Sequence, residues 1–300
     1  MPYLLPLIAL IGAPLMTALI GRTRARFAGR QGPPLLQPYR DLRKLLARGA
    51  VYSETTTWLF RLGPVVSLAG VMVALLLVPL GGVPAPLTFS GDMIVVAGLL
   101  GLGNFLTLLA ALDTGSSFEG MGASREAHFA ALAEPTLFLA LAVLVRLTGE
   151  TSLSAIYAHI TPGLWAIAVP VLALAAVTLL LLGLVENTQM PIDDPTTHLE
   201  LTMIHEVMVL DHSGPDLGMI HYGAALKLWL IGALAVGIAV PVRSGNPVLD
   251  VLAGLAGLAL LAVMIGAIAS LMARLKLTDT PRLILTAGAL SVVALVMELK

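Results

Sequence analysis

The sequence contains no cysteine and little charge. Of its 300 residues, 12% are charged, 5% are aromatic and 58% are hydrophobic, and the mean hydropathy is +0.94. Without cysteine the chain can form no disulfide, no thiolate metal site and no cysteine-ligated iron–sulfur cluster. A soluble domain carries about 25% charged residues, so the scarcity of charge excludes an ordinary soluble fold. The net charge of −1 gives no indication of nucleic acid binding.

Basic residues are missing from a long central part of the chain, since no Lys or Arg occurs from Leu147 to Leu226. The polar end of this part, Glu186 to His221, still carries seven carboxylates and four of the six histidines. Unpaired carboxylates beside a bilayer are costly, and where they persist they usually carry protons or ions or form a docking surface. The pattern predicts a membrane protein that handles protons.

Long apolar segments make up most of the remaining sequence. About 20 apolar residues cross the hydrocarbon core of a bilayer. Eight segments are therefore predicted to be transmembrane helices: residues 3–21, 63–81, 92–112, 127–147, 163–185, 223–242, 248–272 and 281–299. We expect an all-α polytopic fold that forms a single integral membrane domain over residues 1–300. The first segment has no basic region before it, so it is predicted to be a retained helix and not a signal peptide.

Positive charge is concentrated between the first two predicted helices. Nine of the 17 Lys and Arg residues lie between Arg22 and Leu62. The positive-inside rule then places four connections in the cytoplasm, at about residues 22–62, 113–126, 186–222 and 273–280. Both termini are expected on the outer side of the inner (cytoplasmic) membrane.

A short helix is predicted within the first of these connections, over Pro38–Leu46. The leucines of this segment share one helical face, and its basic residues lie off that face. Such a segment is typical of an amphipathic helix lying in the membrane interface. The alternative is an ordinary basic loop.

One carboxylate, Glu134, stands inside the fourth predicted span. Charge at that depth costs roughly 2.5–3.5 kcal/mol on insertion scales, so the side chain must face protein or water, pair with a cation, or take a proton. The following Pro135 removes a backbone donor and frees the carbonyl of Ala131, which suits a water chain. We interpret Glu134 as a proton-path residue. The alternative is a structural glutamate paired with Arg125 or Arg146.

Three histidines, His198, His205 and His212, recur every seven residues. On one helix they would share a face, but steps of about 10 Å are too long for one metal ion to bind consecutive members. No His-Glu-x-x-His motif, glycine-rich phosphate loop or nucleophile motif is present. We therefore expect a packed or docking face, no metal site and no catalytic residue on this chain.

Lys227 is interpreted as the opening residue of the sixth span. It can reach the membrane surface, neutralise the acidic stretch, or belong to a proton path.

Four segments of the sequence, mostly in its polar connections, resemble one family of membrane subunits. They are residues Arg26–Leu45, Leu112–Glu126, Glu186–Pro195 and Met272–Leu277. Together they are similar to the eight-helix subunit 1/H superfamily of respiratory complex I and of energy-converting, membrane-bound hydrogenases. The resemblance is nearest to the formate hydrogenlyase subunit 4 or hydrogenase-4 component C type.

The resemblance implies a non-catalytic anchor that links a soluble redox arm to ion translocation. The implied partners are a hydrogenase-like large subunit with the NiFe centre, a small subunit with iron–sulfur clusters, antiporter-like membrane subunits, and lipid. No cofactor is expected on this chain. The proton-path residues that the resemblance implies are Glu134, Glu186, Asp193 and Glu200. We add His198 and Lys227 to the path on their own chemistry, since His198 can titrate and Lys227 can modulate the neighbouring carboxylates. The residues expected to dock the partner are Arg26, Arg30, Arg40, Asp41, Lys44 and Arg125. For Arg26, Arg30, Arg40 and Lys44 the alternative contact is with lipid phosphates.

The sequence departs from the family pattern at three positions. Thr196 and His198 stand where complex I relatives tend to carry glutamates, and Ala269 stands where many relatives carry another. These departures reduce the negative charge of the path and leave quinone chemistry unsupported, although His198 can itself titrate.

Two alternative functions stay open. One is the quinone-site subunit of a complex I-like NADH:quinone oxidoreductase, which would need a chamber beside the first loop. The other is a stand-alone secondary transporter, a class that often has paired broken helices. Glu134–Pro135 is the one candidate break that the sequence offers.

Overall fold

The computed structural model describes residues 1–187, 189, 204–272 and 279–299, which are largely helical. The helices in chain order are α1 (Leu4–Phe27), α2 (Gln37–Leu46), α3 (Trp58–Leu75), α4 (Asp92–Asp113), α5 (Ser117–Thr148), α6 (Leu153–His159), α7 (Pro162–Glu186), α8 (His205–Met208), α9 (Gly214–Ala239), α10 (Pro247–Leu271) and α11 (Thr280–Met297).

Within these ranges, eight helices are long and apolar enough to cross a membrane: α1, α3, α4, α5, α7, α9, α10 and α11. The predicted all-α fold with eight spans is confirmed. The predicted short helix over Pro38–Leu46 is present as α2, which begins one residue earlier at Gln37.

Two spans begin well before the predicted position. Helix α5 starts at Ser117 instead of near residue 127, and α9 starts at Gly214 instead of near residue 223. The early turns of both helices carry buried carboxylates, including Glu119 and Asp216. Polar residues interrupt the apolar pattern there, so hydropathy alone placed these helix starts too late. Pro215 and Asp216 lie in the first turn of α9, a position that suits both residue types.

Helix α9 is the central helix of the bundle. In its apolar stretch 83% of the residues are buried, against 28–50% in the other seven spans. It packs against α1, α2, α3, α7 and α10. Two side-chain donors fix its far end, since Tyr157 Oη donates to the carbonyl of Leu234 (2.6 Å) and Trp165 Nε1 donates to that of Ile238 (2.8 Å). A polar group on α9 is therefore held in a fixed, largely enclosed position.

The helix break that the sequence suggested at Glu134–Pro135 is not formed, because α5 runs continuously through both residues. A kink lies instead in α7, where Ala168 leaves helical geometry (φ −114°, ψ 33°) two residues before Pro170. A proline disfavours helical conformation in the residues just before it, which explains this position.

The bundle has two ends of different character. We call the end at which α1 finishes and α3 begins the basic side, because the Arg-rich first loop lies there, and we call the other end the opposite side. Helix α2 lies on the basic side against α1 and α9. The Tyr39 hydroxyl of α2 donates to the carbonyl of Ile11 in α1.

Candidate functional site

An ion pair between α7 and α9 forms the centre of the candidate site. Lys227 Nζ lies 2.5 Å from Glu186 Oε2, and the two side chains are only 11% and 14% exposed. The expectation that Lys227 opens its helix was wrong, since α9 starts at Gly214 and carries Lys227 near its middle. Buried charges persist when they are paired and hydrogen-bonded, so each of these side chains depends on the other.

Asn104 of α4 completes this pair. Lys227 Nζ donates to Asn104 Oδ1 (2.9 Å), and Asn104 Nδ2 donates to Glu186 Oε2 (3.2 Å). The amide thus satisfies both the cation and the carboxylate. Sequence reasoning missed Asn104, although an amide within an otherwise apolar span is a signal that could have found it.

Glu134 is exposed on the outer surface of α5, close to Gly101 of α4. A Cβ on Gly101 would stand 3.0 Å from Glu134 Oε1, so the glycine makes room for the carboxylate. Between Glu134 and Glu186 lies a cavity of about 20 Å³ that Asn104 also lines, which is space for one water molecule among polar groups. In the described part of the chain Glu134 forms no salt bridge, so the alternative pairing with Arg125 or Arg146 is not formed.

A second pair joins α5 to the short helix α8. His205 Nε2 lies 3.3 Å from Glu126 Oε2, and the glutamate side chain is 7% exposed. Helix α8 can approach α5 because Gly122 has no side chain: a Cβ there would collide with Val207 and stand 2.9 Å from the carbonyl oxygen of Ile204.

Glu126 is a further residue that sequence reasoning did not assign. It follows Glu119 by seven residues, so the two share a helical face. That spacing would have been informative had α5 been predicted to start early enough. Glu119 is fully buried, and its Oε1 accepts a hydrogen bond from the backbone N–H of Asp211 (3.0 Å). This contact holds the segment after α8 against α5.

Two cavities adjoin these groups. One of about 200 Å³ is lined by both pairs, Glu186–Lys227 and Glu126–His205. A larger one of about 630 Å³ lies between α1, α2 and α9. The two cavities share His221, Ala224 and Asn187 as lining residues. Polar side chains and internal space therefore follow one another from the Glu126–His205 pair, past Glu186 and Lys227, to Glu134.

His205 and His212 do not share one helix face. His205 belongs to α8, whereas His212 lies beyond it and stacks on Phe60 with ring centroids 3.9 Å apart and planes at 11°. Burial lowers the pKa of His212 to about 4, so the ring is neutral at pH 7. Within the described ranges no group of three side chains is arranged to hold a metal ion.

Three predicted proton-path residues, Asp193, His198 and Glu200, lie outside the described residues. Of the residues predicted to dock a partner, Arg26, Arg30, Arg40, Asp41 and Lys44 are exposed on the basic side, whereas Arg125 is half-buried in α5. Asp41 accepts a hydrogen bond from Gln37 Nε2 (2.8 Å) and lies 4.0 Å from Lys44 Nζ. Both contacts join exposed side chains on the basic side.

Comparison with known proteins identifies the family. The model of the NADH dehydrogenase family matches residues 1–299. The chain belongs to this family, which comprises the subunit 1/H type of complex I membrane subunit. As a member it is a multi-pass membrane subunit of the complex I-like and hydrogenase-type class.

Two relatives agree with this membership, and one solved structure shares the fold. Formate hydrogenlyase subunit 4 of Escherichia coli (strain K12) is 31% identical, over 94% of this chain and 92% of the relative. Hydrogenase-4 component C of the same organism is 34% identical, over 78% of this chain and 73% of the relative. A chain of the membrane-bound sulfane sulfur reductase, an archaeal respiratory membrane complex, shares the fold with a TM-score of 0.81 at 22% identity, covering 99% of this chain and 98% of that one.

Proposed function

We propose that this chain is the membrane-anchor and proton-coupling subunit of an energy-converting [NiFe]-hydrogenase or formate hydrogenlyase-like complex. Its similarity to the two Escherichia coli subunits supports the class of complex. The observation that carries the proton role is the Glu186–Lys227–Asn104 cluster, enclosed between α4, α7 and α9 and adjoining cavities on two sides. Charged side chains inside a membrane bundle are energetically costly, and where they occur they usually have a function.

The geometry suggests how a proton would pass. A proton that reaches Glu186 neutralises half of an ion pair, and Lys227 then keeps Asn104 as its hydrogen-bond acceptor in the cluster. Protonation of Glu186 and the position of Lys227 are therefore coupled. The space between Glu186 and Glu134 accommodates one water, through which the proton can continue to α5. On the other side, His205 beside Glu126 can receive a proton from the larger cavities.

The basic side is the proposed docking face. In this proposal Arg26, Arg30, Arg40, Asp41, Lys44 and Arg125 contact a soluble large subunit that holds the NiFe centre and a small subunit that holds iron–sulfur clusters. Asp193, Glu200 and His198 extend the proton path toward that interface. The polar route leaves the chain at Glu134, which faces outward in the membrane and would meet an antiporter-like subunit there. Electrons stay in the soluble arm.

The test uses Glu134→Gln in the purified complex, reconstituted in proteoliposomes. We expect electron transfer in the soluble arm to continue while proton uptake per electron falls. The matched control is Glu150→Gln, which removes a carboxylate just beyond α5 on the opposite side. An unchanged proton-to-electron ratio in Glu134→Gln would refute the assignment.

The cavity beside α2 favours a second candidate function. A quinone-site subunit of a complex I-like oxidoreductase needs a chamber next to the first loop, and the cavity of about 630 Å³ occupies that place. Inhibition of the intact complex by quinone-site inhibitors, with quinone as the electron acceptor, would support this function over the hydrogenase.

A further inference from the structure

The cavity between α1, α2 and α9 has no occupant in the proposed hydrogenase-type function. Its volume of about 630 Å³ falls within the range of sites that enclose most of a small ligand. Helix α2 covers it, yet none of the α2 residues is buried. Leu42 and Leu45 of α2 line the cavity and do not fill it. The apolar face of α2 is therefore only partly covered by the rest of this chain.

The lining changes character with depth. Along α9 it runs from Leu217 to Leu228, about 16 Å along the helix axis. Leu228 and Pro14 of α1 make the deep end apolar, while Lys44 and Arg48 lie at the α2 end. A site that is apolar at one end and basic at the other matches an amphiphile with an acidic head.

Two side chains beside the cavity are exposed on the surface of the bundle. Ile11 and Leu15, which neighbour Pro14 on α1, are 65% and 39% exposed. Helix α1 is long and apolar enough to cross a membrane, where such side chains can contact acyl chains. The leucines of the cavity lining, Leu42, Leu45, Leu217 and Leu228, favour a hydrocarbon chain.

Charge and hydrogen bonding specify the head group. In the described part of the chain Arg48 forms no ion pair, and Lys44 meets only Asp41, at 4.0 Å and with both side chains exposed. Asn187 lines the cavity, is 7% exposed, and has no described hydrogen-bond partner for its Oδ1. A buried acceptor of this kind requires a donor. A phosphoglycerol head supplies a phosphate for the two cations and a hydroxyl for Asn187.

We propose that this cavity binds one phospholipid with an anionic phosphoglycerol head, whose acyl chain lies beneath α2. The lipid completes the packing of α2 against α1 and α9. Because Asn187 and His221 also line the cavity that holds the Glu186–Lys227 pair, the lipid closes that cavity toward the membrane. The proposal does not depend on the direction or stoichiometry of proton transfer.

The first test labels the unmodified complex. It is placed in vesicles that contain phosphatidylglycerol with a diazirine at the end of one acyl chain, and crosslinked peptides are mapped after illumination. We expect label on residues 224–228 of α9, displaced by unlabelled phosphatidylglycerol better than by phosphatidylcholine. Label confined to outward residues such as Leu252 and Leu260 of α10 would overturn the proposal, because these are exposed and lie outside the lining.

The second test varies the site and measures co-purifying lipid by native mass spectrometry. Leu45→Trp fills the cavity and should remove the bound lipid, whereas Leu36→Trp, at an exposed position outside the lining, should retain it. Arg48→Gln should reduce the preference for phosphatidylglycerol over phosphatidylcholine about fivefold, and Arg30→Gln should not. One quinone per complex recovered in place of phospholipid, or no lipid in the unmodified complex, would contradict the proposal.

Discussion

The two ends of the bundle bury carboxylates in different ways. On the opposite side Asp92 is fully buried and accepts from Ser152 Oγ (2.8 Å) and the Leu153 N–H (2.7 Å). Asp250, also buried, accepts from the N–H and Oγ of Ser244 (2.8 and 2.7 Å). These donors do not titrate, and the contacts fasten loops to helix starts.

Two of the buried carboxylates toward the basic side have partners that can exchange protons. Glu186 pairs with Lys227 and Glu126 with His205, and both pairs line a cavity. Burial alone therefore does not mark a proton site in this protein. A titratable partner and adjoining space distinguish the proposed path from the structural carboxylates.

The largest effect should come from Lys227→Met. It leaves Glu186 buried without its cation, and breaking a buried pair costs about 3–5 kcal/mol. We expect a lower melting temperature of the purified complex, and proton-coupled turnover reduced about a hundredfold or more. Adding Glu186→Gln to this variant should restore much of the thermal stability and none of the coupled turnover. If the double variant kept full proton coupling, the Glu186–Lys227 pair would not be needed for proton transfer, and the proposed difference between the two ends of the bundle would be wrong.

His212 is a buried titratable residue on the basic side for which we expect a purely structural role. Its pKa is about 4 in the folded chain because of burial, against about 6.5 when unfolded. The unfolded state thus binds the proton first, and stability falls as the pH drops from about 6.5 toward 4, by at most about 3 kcal/mol.

His212→Phe should flatten this pH dependence and keep the stacking on Phe60. The measurement is the melting temperature of the complex between pH 7 and pH 5. His159→Phe, at an exposed position on the opposite side, should leave the dependence as it is. A loss of proton coupling at pH 7 in His212→Phe would show that His212 belongs to the path.

Asp92→Ala should destabilise the opposite side of the bundle without changing proton transfer. It leaves the Leu153 N–H without its acceptor, which costs about 1–3 kcal/mol. Thermal unfolding should shift accordingly, while the proton-to-electron ratio of the surviving complex stays unchanged. A changed ratio would place Asp92 on the path and contradict the comparison.

The smallest expected effect is the difference between alanine substitutions at two glycines of α5, Gly122 and Gly120. In Gly122→Ala the new methyl group collides with α8. Overpacking of this kind costs about 1–3 kcal/mol. The better helix propensity of alanine offsets about 1 kcal/mol of that cost. His205 should move away from Glu126, and coupled turnover should fall modestly. Gly120→Ala has open space around it and should be neutral or slightly stabilising. Equal behaviour of the two variants in turnover would argue against a role for the Glu126–His205 pair.

The spans and the family could be predicted because they depend on local features: the length of apolar segments and the order of motifs. The cluster could not be predicted in full, because Asn104, Glu186 and Lys227 meet only when three distant helices pack together. Periodicity carries no information about such contacts. The late placement of the α5 and α9 starts had the same cause, since Glu119 and Asp216 look like loop residues until their burial is known.

The most direct test of the proton role is redox-induced infrared difference spectroscopy of the reconstituted complex, which detects carboxyl groups that change protonation or environment during turnover. If protons pass through the cluster, we expect a carboxyl C=O signal that disappears in Glu186→Gln and persists in Asp92→Asn. The same signal in Glu186→Gln as in the unmodified complex would contradict the claim that protons pass through the cluster beside Lys227.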